Sequence, residues 1–134
     1  MDRSGVLCAG AWCVDYNMII DHWPAEETVA RILSQSRQGG CSSHNMATAL
    51  RRLGAEFPIE AIGLIGDDDD GRLLRAICDE HRIEHAQLET RKGRSTPVSY
   101  AMIAKPTGKR SFFYKAGTHA VSYTHLTLPT IYSV

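Results

Sequence analysis

The chain has 134 residues, of which 43% are hydrophobic and 22% are charged, and its fifteen basic and fifteen acidic residues cancel. This length suits one domain with its own core, and the balanced charge favours neither nucleic acid nor a membrane as a partner. No apolar run approaches the roughly 20 residues of a membrane span, and no signal peptide is recognisable. The four cysteines lack the spacing of a disulfide framework. We therefore expect a cytoplasmic protein with reduced thiols.

The N-terminal part of the sequence is predicted to be extended. Residues 6–10 form an apolar run that ends at a glycine, which indicates a short buried strand. Residues 18–20 are a second apolar piece, and residues 28–36 partly alternate between apolar and polar side chains, as in a half-exposed strand. Pro24 marks a loop between them. We therefore expect β structure before the first helix.

The first predicted helix follows a pair of glycines. Ser42 or Ser43 is a suitable N-cap, because a serine hydroxyl can accept a hydrogen bond from a free backbone N–H of the first turn. Gly54 stands where a left-handed C-cap glycine belongs. Apolar side chains at helical spacing predict one buried face, made of Met46, Ala49, Leu50 and Leu53.

An apolar strand and a second helix come next. Residues 59–65 are nearly all apolar, which is typical of a strand buried in a parallel sheet. Asp69 or Asp70 is expected to cap the helix that follows. The predicted buried face of this helix consists of Leu73, Leu74 and Ile77.

The C-terminal part is predicted to return to strands, at residues 87–90, 98–104 and 111–114. The last two flank the segment 105–108, which has the Pro and Gly of a hairpin turn. Alternating strands and helices followed by hairpins indicate an α/β layer with an added β unit.

Four residues are candidates for binding a ligand rich in hydroxyl groups, which needs fixed carboxylates and amides. Asp15 follows the first strand at the edge where ligands bind in open α/β sheets. Gly39 and Gly40 would let a ligand approach the backbone closely, and Asn45 is expected in the first turn of the helix. Each also has a structural interpretation: a turn former for Asp15, a cap for Asn45 and a tight turn for the glycines.

Taken in order, these features resemble the N-terminal half of the ribokinase-like (PfkB) carbohydrate kinases. That family has a glycine pair, an Asn, a small residue and a Leu-Gly helix end, followed by a G-x-D-x-x-G turn and a later hairpin. The similarity covers roughly residues 5–120. The matching residues here are Gly39-Gly40, Asn45, Ala47, Leu53-Gly54, Gly66-x-Asp68-x-x-Gly71 and the hairpin segment 108–113.

The resemblance implies both a fold and an activity. Residues 1–120 would form the N-terminal part of a three-layer α/β sandwich, with a small β lid built from about 16–36 and 97–115. The full-length relative would transfer a phosphate group from ATP, with Mg²⁺, to a sugar hydroxyl. The residues implied to hold the sugar are Asp15, Gly39, Gly40 and Asn45, with Cys41 and His44 as pocket neighbours.

The sequence departs from the family in two places. Four residues separate Gly40 from Asn45 where the family usually has three, so either the loop carries an insertion or Gly40-Cys41 replaces the glycine pair. No segment matches the Gly-Ala-Gly-Asp sequence that carries the family's catalytic Asp and part of its phosphate site. We therefore predict no catalytic residue here, a truncated and inactive fragment, and no good binding of ATP or Mg²⁺.

The last residues, 121–134, contain no charged side chain and resemble a translated sequencing adaptor, so we expect a non-native tail. Two other functions stay open: a non-catalytic module that binds a small polyol or dimerises, and a nucleoside kinase. Tyr100, Phe112 and Tyr114 are candidates for the lid or for a homodimer contact through it, with packing on the strand face as the simpler alternative.

Motifs for metal binding are weak. The Asp run at 67–70 fails the calcium-loop spacing, because Ile77 stands where the bidentate Glu should be. Residues 81–85 fit the H-x-x-E-H pattern of some zinc peptidases but straddle a helix end. Cys41 and His44 are two metal ligands without partners. We expect no metal site in this chain.

Overall fold

The computed structural model describes residues 4–118, so the predicted tail at 121–134 lies outside the described part of the chain. Neither helix within residues 4–118 is long and apolar enough to cross a membrane. The elements, in chain order, are β1 (Val6–Ala9), β2 (Cys13–Ile20), β3 (Ile32–Gly40), α1 (Cys41–Arg52), β4 (Ile59–Gly66), α2 (Asp69–Glu80), β5 (Leu88–Arg91), β6 (Val98–Ala104) and β7 (Arg110–Lys115).

The first sheet is parallel and has the order β1-β4-β5. Its central strand, β4, pairs Ile59 with Val6 of β1 and Gly63 with Leu88 of β5. Six of the eight residues of β4 are buried, as expected for a strand enclosed by others. The predicted strand at 59–65 is therefore confirmed.

The second sheet has four strands in the order β3-β2-β6-β7. Strands β2 and β3 are antiparallel, β2 and β6 are parallel, and β6 and β7 form the predicted hairpin. This sheet takes residues from both segments assigned to the lid, although it begins at Cys13 and reaches Gly40. That it closes over a substrate stays a prediction.

One buried cluster joins the first sheet, both helices and the start of β2. Trp12 is among its largest fully buried side chains, and its indole N–H donates to the Ile62 carbonyl oxygen at 3.1 Å. This bond satisfies the one polar atom of the ring, so the indole can be buried at little cost. The apolar members of the cluster are Cys8, Trp12, Val14, Ala47, Ile59, Ala61, Ile65, Leu74, Cys78, Ile83 and Leu88.

The start of α1 differs from the prediction. The helix begins at Cys41 after Gly40, which provides no side-chain cap, so neither serine acts as the N-cap. Ser43 instead donates its hydroxyl to the Ala9 carbonyl oxygen at 2.9 Å and ties the helix to β1. The predicted strand at 28–36 also lies later in the chain, because β3 runs through the glycine pair.

The buried face of α1 is also not the predicted one. The helix buries Ser43, His44, Ala47 and Thr48, whereas Met46 is 50% exposed and Leu53 is 85% exposed. A Cβ placed on Gly10 would lie only 2.7 Å from the Ser43 hydroxyl oxygen, so the helix and the end of β1 are in close contact. Small side chains fit that gap better than the larger apolar ones. The predicted C-cap is confirmed, since Gly54 has a φ of +86°.

The cap of α2 lies one residue before the earlier of the two predicted positions. Asp68 is the N-cap and accepts a hydrogen bond from the Gly71 N–H, while Asp69 and Asp70 lie inside the first turn. Their negative charges favour that position, because the N-terminus of a helix carries partial positive charge. Leu74 is buried as predicted and is joined by Cys78, while Leu73 and Ile77 are only half-buried.

Candidate functional site

Asp15 on β2 lies against Gly40 on the neighbouring strand β3, two positions along from its paired residue. In the antiparallel register Cys13 pairs with Gly40 and Asp15 with Gln38. A Cβ placed on Gly40 would come 2.2 Å from an oxygen of the Asp15 carboxylate. The carboxylate therefore occupies space that any other residue at position 40 would fill. The glycine belongs to the end of a strand and not to a loop.

Gly39 makes the same kind of room for His44. A Cβ at position 39 would lie 2.1 Å from the Nε2 atom of His44. The imidazole is 6% exposed and meets the Trp12 ring edge-on, with 5.9 Å between the ring centroids. Within residues 4–118 its Nε2 is buried without a hydrogen-bond partner. Burial lowers the pKa of His44 below its ordinary value, so the ring is neutral at neutral pH.

Asn45 is linked to this group through His44. Its amide oxygen lies 3.2 Å from Nδ1 of the imidazole, and its side chain is exposed on α1. The helix starts at Cys41, so Asn45 is its fifth residue and not part of the first turn. The Asp15 carboxylate thus packs against the Gly40 backbone, and the His44 imidazole lies between the Gly39 backbone and the Asn45 amide. A carboxylate, an amide and an imidazole together offer both donors and acceptors to a ligand that carries hydroxyl groups.

Two thiols lie beside this group. The sulfur atoms of Cys13 and Cys41 are 3.1 Å apart, and the Cys13 sulfur is 3.5 Å from an Asp15 carboxylate oxygen. The hydrogen bond with Cys13 lowers the pKa of the Cys41 thiol to about 7, whereas the same contact and burial raise that of Cys13. The sequence pointed to Cys41 alone. Cys13 was missed because only the strand register brings these two positions together.

The G-x-D-x-x-G turn forms a second polar junction. The Asp68 carboxylate accepts hydrogen bonds from the Gly71 N–H at 2.9 Å, the Thr96 N–H at 2.8 Å and the Thr96 hydroxyl at 2.7 Å. Burial alone would raise the pKa of Asp68, but these hydrogen bonds outweigh it and hold the pKa below its ordinary value. The motif therefore joins the β4–α2 turn to the segment that leads into β6.

Both glycines of this motif are explained by close contacts. A Cβ on Gly66 would lie 2.3 Å from the Thr96 backbone nitrogen, and one on Gly71 would lie 2.3 Å from the Gly66 carbonyl oxygen. The Gly66 N–H donates to the Thr96 hydroxyl oxygen at 2.9 Å. Thr96 was not singled out from the sequence, which gives no local sign of this contact.

A third polar group connects the second sheet to α2. The Tyr16 hydroxyl donates to the Asp70 carboxylate at 2.8 Å, and the Arg37 Nε atom donates to the same oxygen at 2.9 Å. The Arg37 guanidinium also lies over the Tyr16 ring, 5.7 Å from its centroid, while Tyr100 stacks on that ring at 5.3 Å. These contacts hold β2 and β3 against the helix and were missed at the sequence level.

A groove of about 540 Å³ lies elsewhere, between the C-terminal ends of the two helices. Its lining includes Arg51, Glu80 and Arg82 and none of the predicted sugar-binding residues. The predicted site and this groove therefore occupy opposite ends of α1. Within the described residues, no group of three or more His, Cys, Asp and Glu side chains is placed to hold a metal ion.

Comparison with known proteins identifies the family. Residues 5–130 match the pfkB family of carbohydrate kinases. The chain belongs to this family. It is 33% identical to an ATP-dependent ribose-1-phosphate kinase of Halopiger xanaduensis over 98 residues, which are 73% of this chain and 32% of that protein. The chain thus spans about a third of the length of that relative. The predicted family is confirmed.

Solved structures show the same fold. A ribokinase from Giardia lamblia superposes with a TM-score of 0.76 at 18% identity, over 87% of this chain and 37% of that one. A nucleoside kinase of the ribokinase family from Methanocaldococcus jannaschii gives a TM-score of 0.72 at 21% identity, over 84% and 37% of the respective chains. The α/β fold class is confirmed as a partial ribokinase-like domain. The roles assigned to Asp15, Gly39, Gly40 and Asn45 stay predictions.

Proposed function

We propose that this chain is the substrate-binding part of an ATP-dependent kinase that phosphorylates a hydroxyl of a sugar. The observation that carries the proposal is the placement of the Asp15 carboxylate on Gly40, beside Gly39, His44 and Asn45, in a member of a carbohydrate kinase family. A sugar presents several hydroxyl groups at fixed angles, and this arrangement offers a charged acceptor and an amide at fixed positions.

In this proposal Asp15 accepts hydrogen bonds from one or two sugar hydroxyls. Such bonds to an ionised acceptor are stronger than neutral ones. The Asn45 amide, exposed on α1, donates a hydrogen bond to one sugar hydroxyl and accepts one from another. The two glycines make room for the Asp15 and His44 side chains themselves, and so hold both next to the proposed sugar site. Cys41 and His44 shape the wall of the pocket. The second sheet would close over the sugar and reduce its contact with water.

ATP and Mg²⁺ belong to the proposal for the whole kinase. No residue of this chain matches the family segment with the catalytic Asp, and the described residues hold no cluster suited to a metal ion. We therefore assign neither ATP nor Mg²⁺ to residues of this chain and derive no transfer step from them. These 134 residues alone are proposed to bind sugar without transferring phosphate.

The test uses two proteins: this chain, and the product of the source gene read beyond codon 120. Titration calorimetry of the chain with ribose, fructose and other sugars should give binding that Asp15→Asn weakens. The longer product should consume ATP with the same sugars. Failure of both proteins to bind any sugar would refute the proposal.

Two other functions give different results in the same assays. A nucleoside kinase, which is what the Methanocaldococcus jannaschii structure of the same fold is described as, would phosphorylate adenosine or another nucleoside and no free sugar. A non-catalytic module would bind a polyol, or dimerise, while the longer gene product fails to use ATP.

A homodimer in the cytoplasm completes the proposal. Strand β7 is exposed along its length and carries Phe112 and Phe113, which are 59% and 51% exposed. Trp23 stacks against Phe113 with 6.3 Å between the ring centroids and is itself 49% exposed. Aromatic residues of this kind are enriched in interfaces. A dimer that Phe112→Ser separates in analytical ultracentrifugation would support this interface, and a wild-type monomer would contradict it.

A further inference from the structure

Two of the four cysteines lie where the chain passes between the two sheets. Cys13 is the first residue of β2, where the chain enters the second sheet after β1. Cys41 is the first residue of α1 and directly follows Gly40, where β3 ends and the chain leaves that sheet. Since Cys13 pairs with Gly40 in the register, these entry and exit points are adjacent, and the two sulfur atoms are 3.1 Å apart.

The two thiols have unequal environments. Cys13 is 3% exposed, while Cys41 is half-buried at the end of the helix that faces the predicted site. Asp15 contacts the Cys13 sulfur, and Tyr114 on β7 lies near both thiols and has a raised pKa, mainly because it is partly buried. Cys41 thus provides an accessible thiol, and Cys13 a second thiol within reach of it.

We propose that Cys13 and Cys41 are a reversible dithiol–disulfide pair that controls the substrate site from the junction of the two sheets. The control of activity rests on the proposed sugar kinase function, whereas formation of the disulfide does not. Two cysteines on neighbouring elements whose sulfur atoms are already 3.1 Å apart can be joined by a shift of only about 1 Å. In a reducing compartment such a bond is transient and serves sensing, not permanent stabilisation.

The oxidant in this proposal is hydrogen peroxide. The Cys41 thiolate attacks one peroxide oxygen, the O–O bond breaks, and the products are a Cys41 sulfenic acid and hydroxide, which takes up a proton to become water. The Cys13 sulfur then attacks the sulfenic sulfur, its proton is transferred to the departing hydroxide, and a second water leaves. In total the thiols lose two electrons and two protons, and the peroxide is reduced to two waters. A dithiol such as dithiothreitol reverses the change.

The bond would alter the site by moving its backbone. The sulfur atoms must approach from 3.1 Å to about 2.0 Å, and Cys41 directly follows Gly40, which packs on Asp15. Cys41 also has a φ of +69°, so the backbone at this position is already in the left-handed region. A shift of about 1 Å at a substrate contact can reduce turnover on the order of 100-fold. The cross-link also restrains the second sheet relative to α1.

The first experiment tests the bond itself on the full chain. The reduced protein is treated with a small excess of hydrogen peroxide, its remaining thiols are alkylated under denaturing conditions, and non-reduced peptides are analysed by mass spectrometry. We expect a peptide pair joined through Cys13 and Cys41 and lacking two hydrogen atoms, with Cys8 and Cys78 alkylated. Overoxidised Cys41 beside alkylated Cys13 would overturn the proposal, as would a disulfide that joins other cysteines.

The second experiment measures sugar binding and, in the longer gene product, phosphorylation, before oxidation, after oxidation and after dithiothreitol. We expect a loss of at least tenfold that dithiothreitol reverses, and no reversible loss in Cys13→Ser, each variant being compared with its own reduced form. Cys78→Ser is the matched control, since this buried thiol lies on α2 away from the site, and it should respond as the wild type does. An active reduced protein whose disulfide forms without changing sugar binding or phosphorylation would be the contrary result. That result would overturn the proposal that the disulfide controls the substrate site. No activity in the reduced protein would refute the sugar kinase proposal instead.

Discussion

Two junctions of this chain combine glycines with an Asp, and they use the carboxylate differently. Asp68 accepts three hydrogen bonds from Gly71 and Thr96, so its oxygens are occupied by the protein. Within residues 4–118, the hydrogen-bond contact recorded for the Asp15 carboxylate is the long one from Cys13, at 3.5 Å. The nearby Nε2 of His44 is also without a partner there. A satisfied carboxylate indicates a structural joint, whereas an under-used one keeps its capacity to accept hydrogen bonds from another molecule.

The largest loss of stability is expected from Asp68→Ala. The substitution leaves two N–H groups and a hydroxyl without their acceptor and removes the α2 cap, so the free energy of unfolding should fall by about 3 kcal/mol. Urea denaturation followed by circular dichroism measures this. Asp67→Ala, which removes an exposed neighbouring carboxylate, is the control and should change stability by less than about 0.5 kcal/mol. Equal effects of the two variants would contradict the structural role of Asp68.

Gly40→Ala should cause the next largest loss of stability. The new Cβ would overlap the Asp15 carboxylate, and such overpacking costs about 2 kcal/mol of unfolding free energy. If that overlap is the cause, Asp15→Ala should restore much of the loss in the double variant. The double-mutant cycle therefore measures the contact directly. Strictly additive losses would show that position 40 is sensitive for another reason.

Asp15→Asn should separate binding from stability. The amide keeps the shape but loses the negative charge, so the affinity for sugar should fall about tenfold, which corresponds to about 1.4 kcal/mol. The unfolding free energy should change by less than about 0.5 kcal/mol, since the protein makes little use of this carboxylate. Calorimetric titration and urea denaturation of the same sample give both values. A large loss of stability with unchanged affinity would place Asp15 with Asp68 as a structural residue.

The smallest effect concerns pH and His44. Its pKa is lowered in the folded protein by burial, so the unfolded chain binds the proton more readily. The resulting stability is fully present above the unfolded pKa of about 6.5 and is lost as the pH falls through the folded pKa. Urea denaturation between neutral and mildly acidic pH should show a shallower decline for His44→Gln than for the wild type. Parallel declines would mean that other groups cause the dependence.

The sequence predicts well those features that depend on local patterns. The apolar run of β4, the left-handed Gly54 and the β6–β7 hairpin were all found because each is determined by a few consecutive residues. The family followed from glycines and polar residues at fixed spacing. This likeness also located the neighbourhood of Asp15, Gly39, Gly40 and Asn45, although their sugar contacts stay predictions.

Features that depend on distant parts of the chain were not predictable in this way. The buried face of α1 follows from its close approach to β1, which selects Ser43 and Ala47 in place of larger side chains. The α2 cap is Asp68, a position supported by Thr96, 28 residues later. Cys13 lies beside Cys41 only because the strand register pairs it with Gly40. Local propensity contains no information on any of these contacts.

The pairing of β2 with β6 also has a consequence during synthesis on the ribosome. The parallel register joins Val14 to Val98, which are 84 residues apart in the chain. At roughly 5–20 residues per second, β2 waits about 4–17 seconds for its neighbour to be translated. Until then its inner edge offers unpaired N–H and C=O groups to any other nascent strand nearby. Slowing translation between these two strands should therefore lengthen the interval in which the chain depends on chaperones.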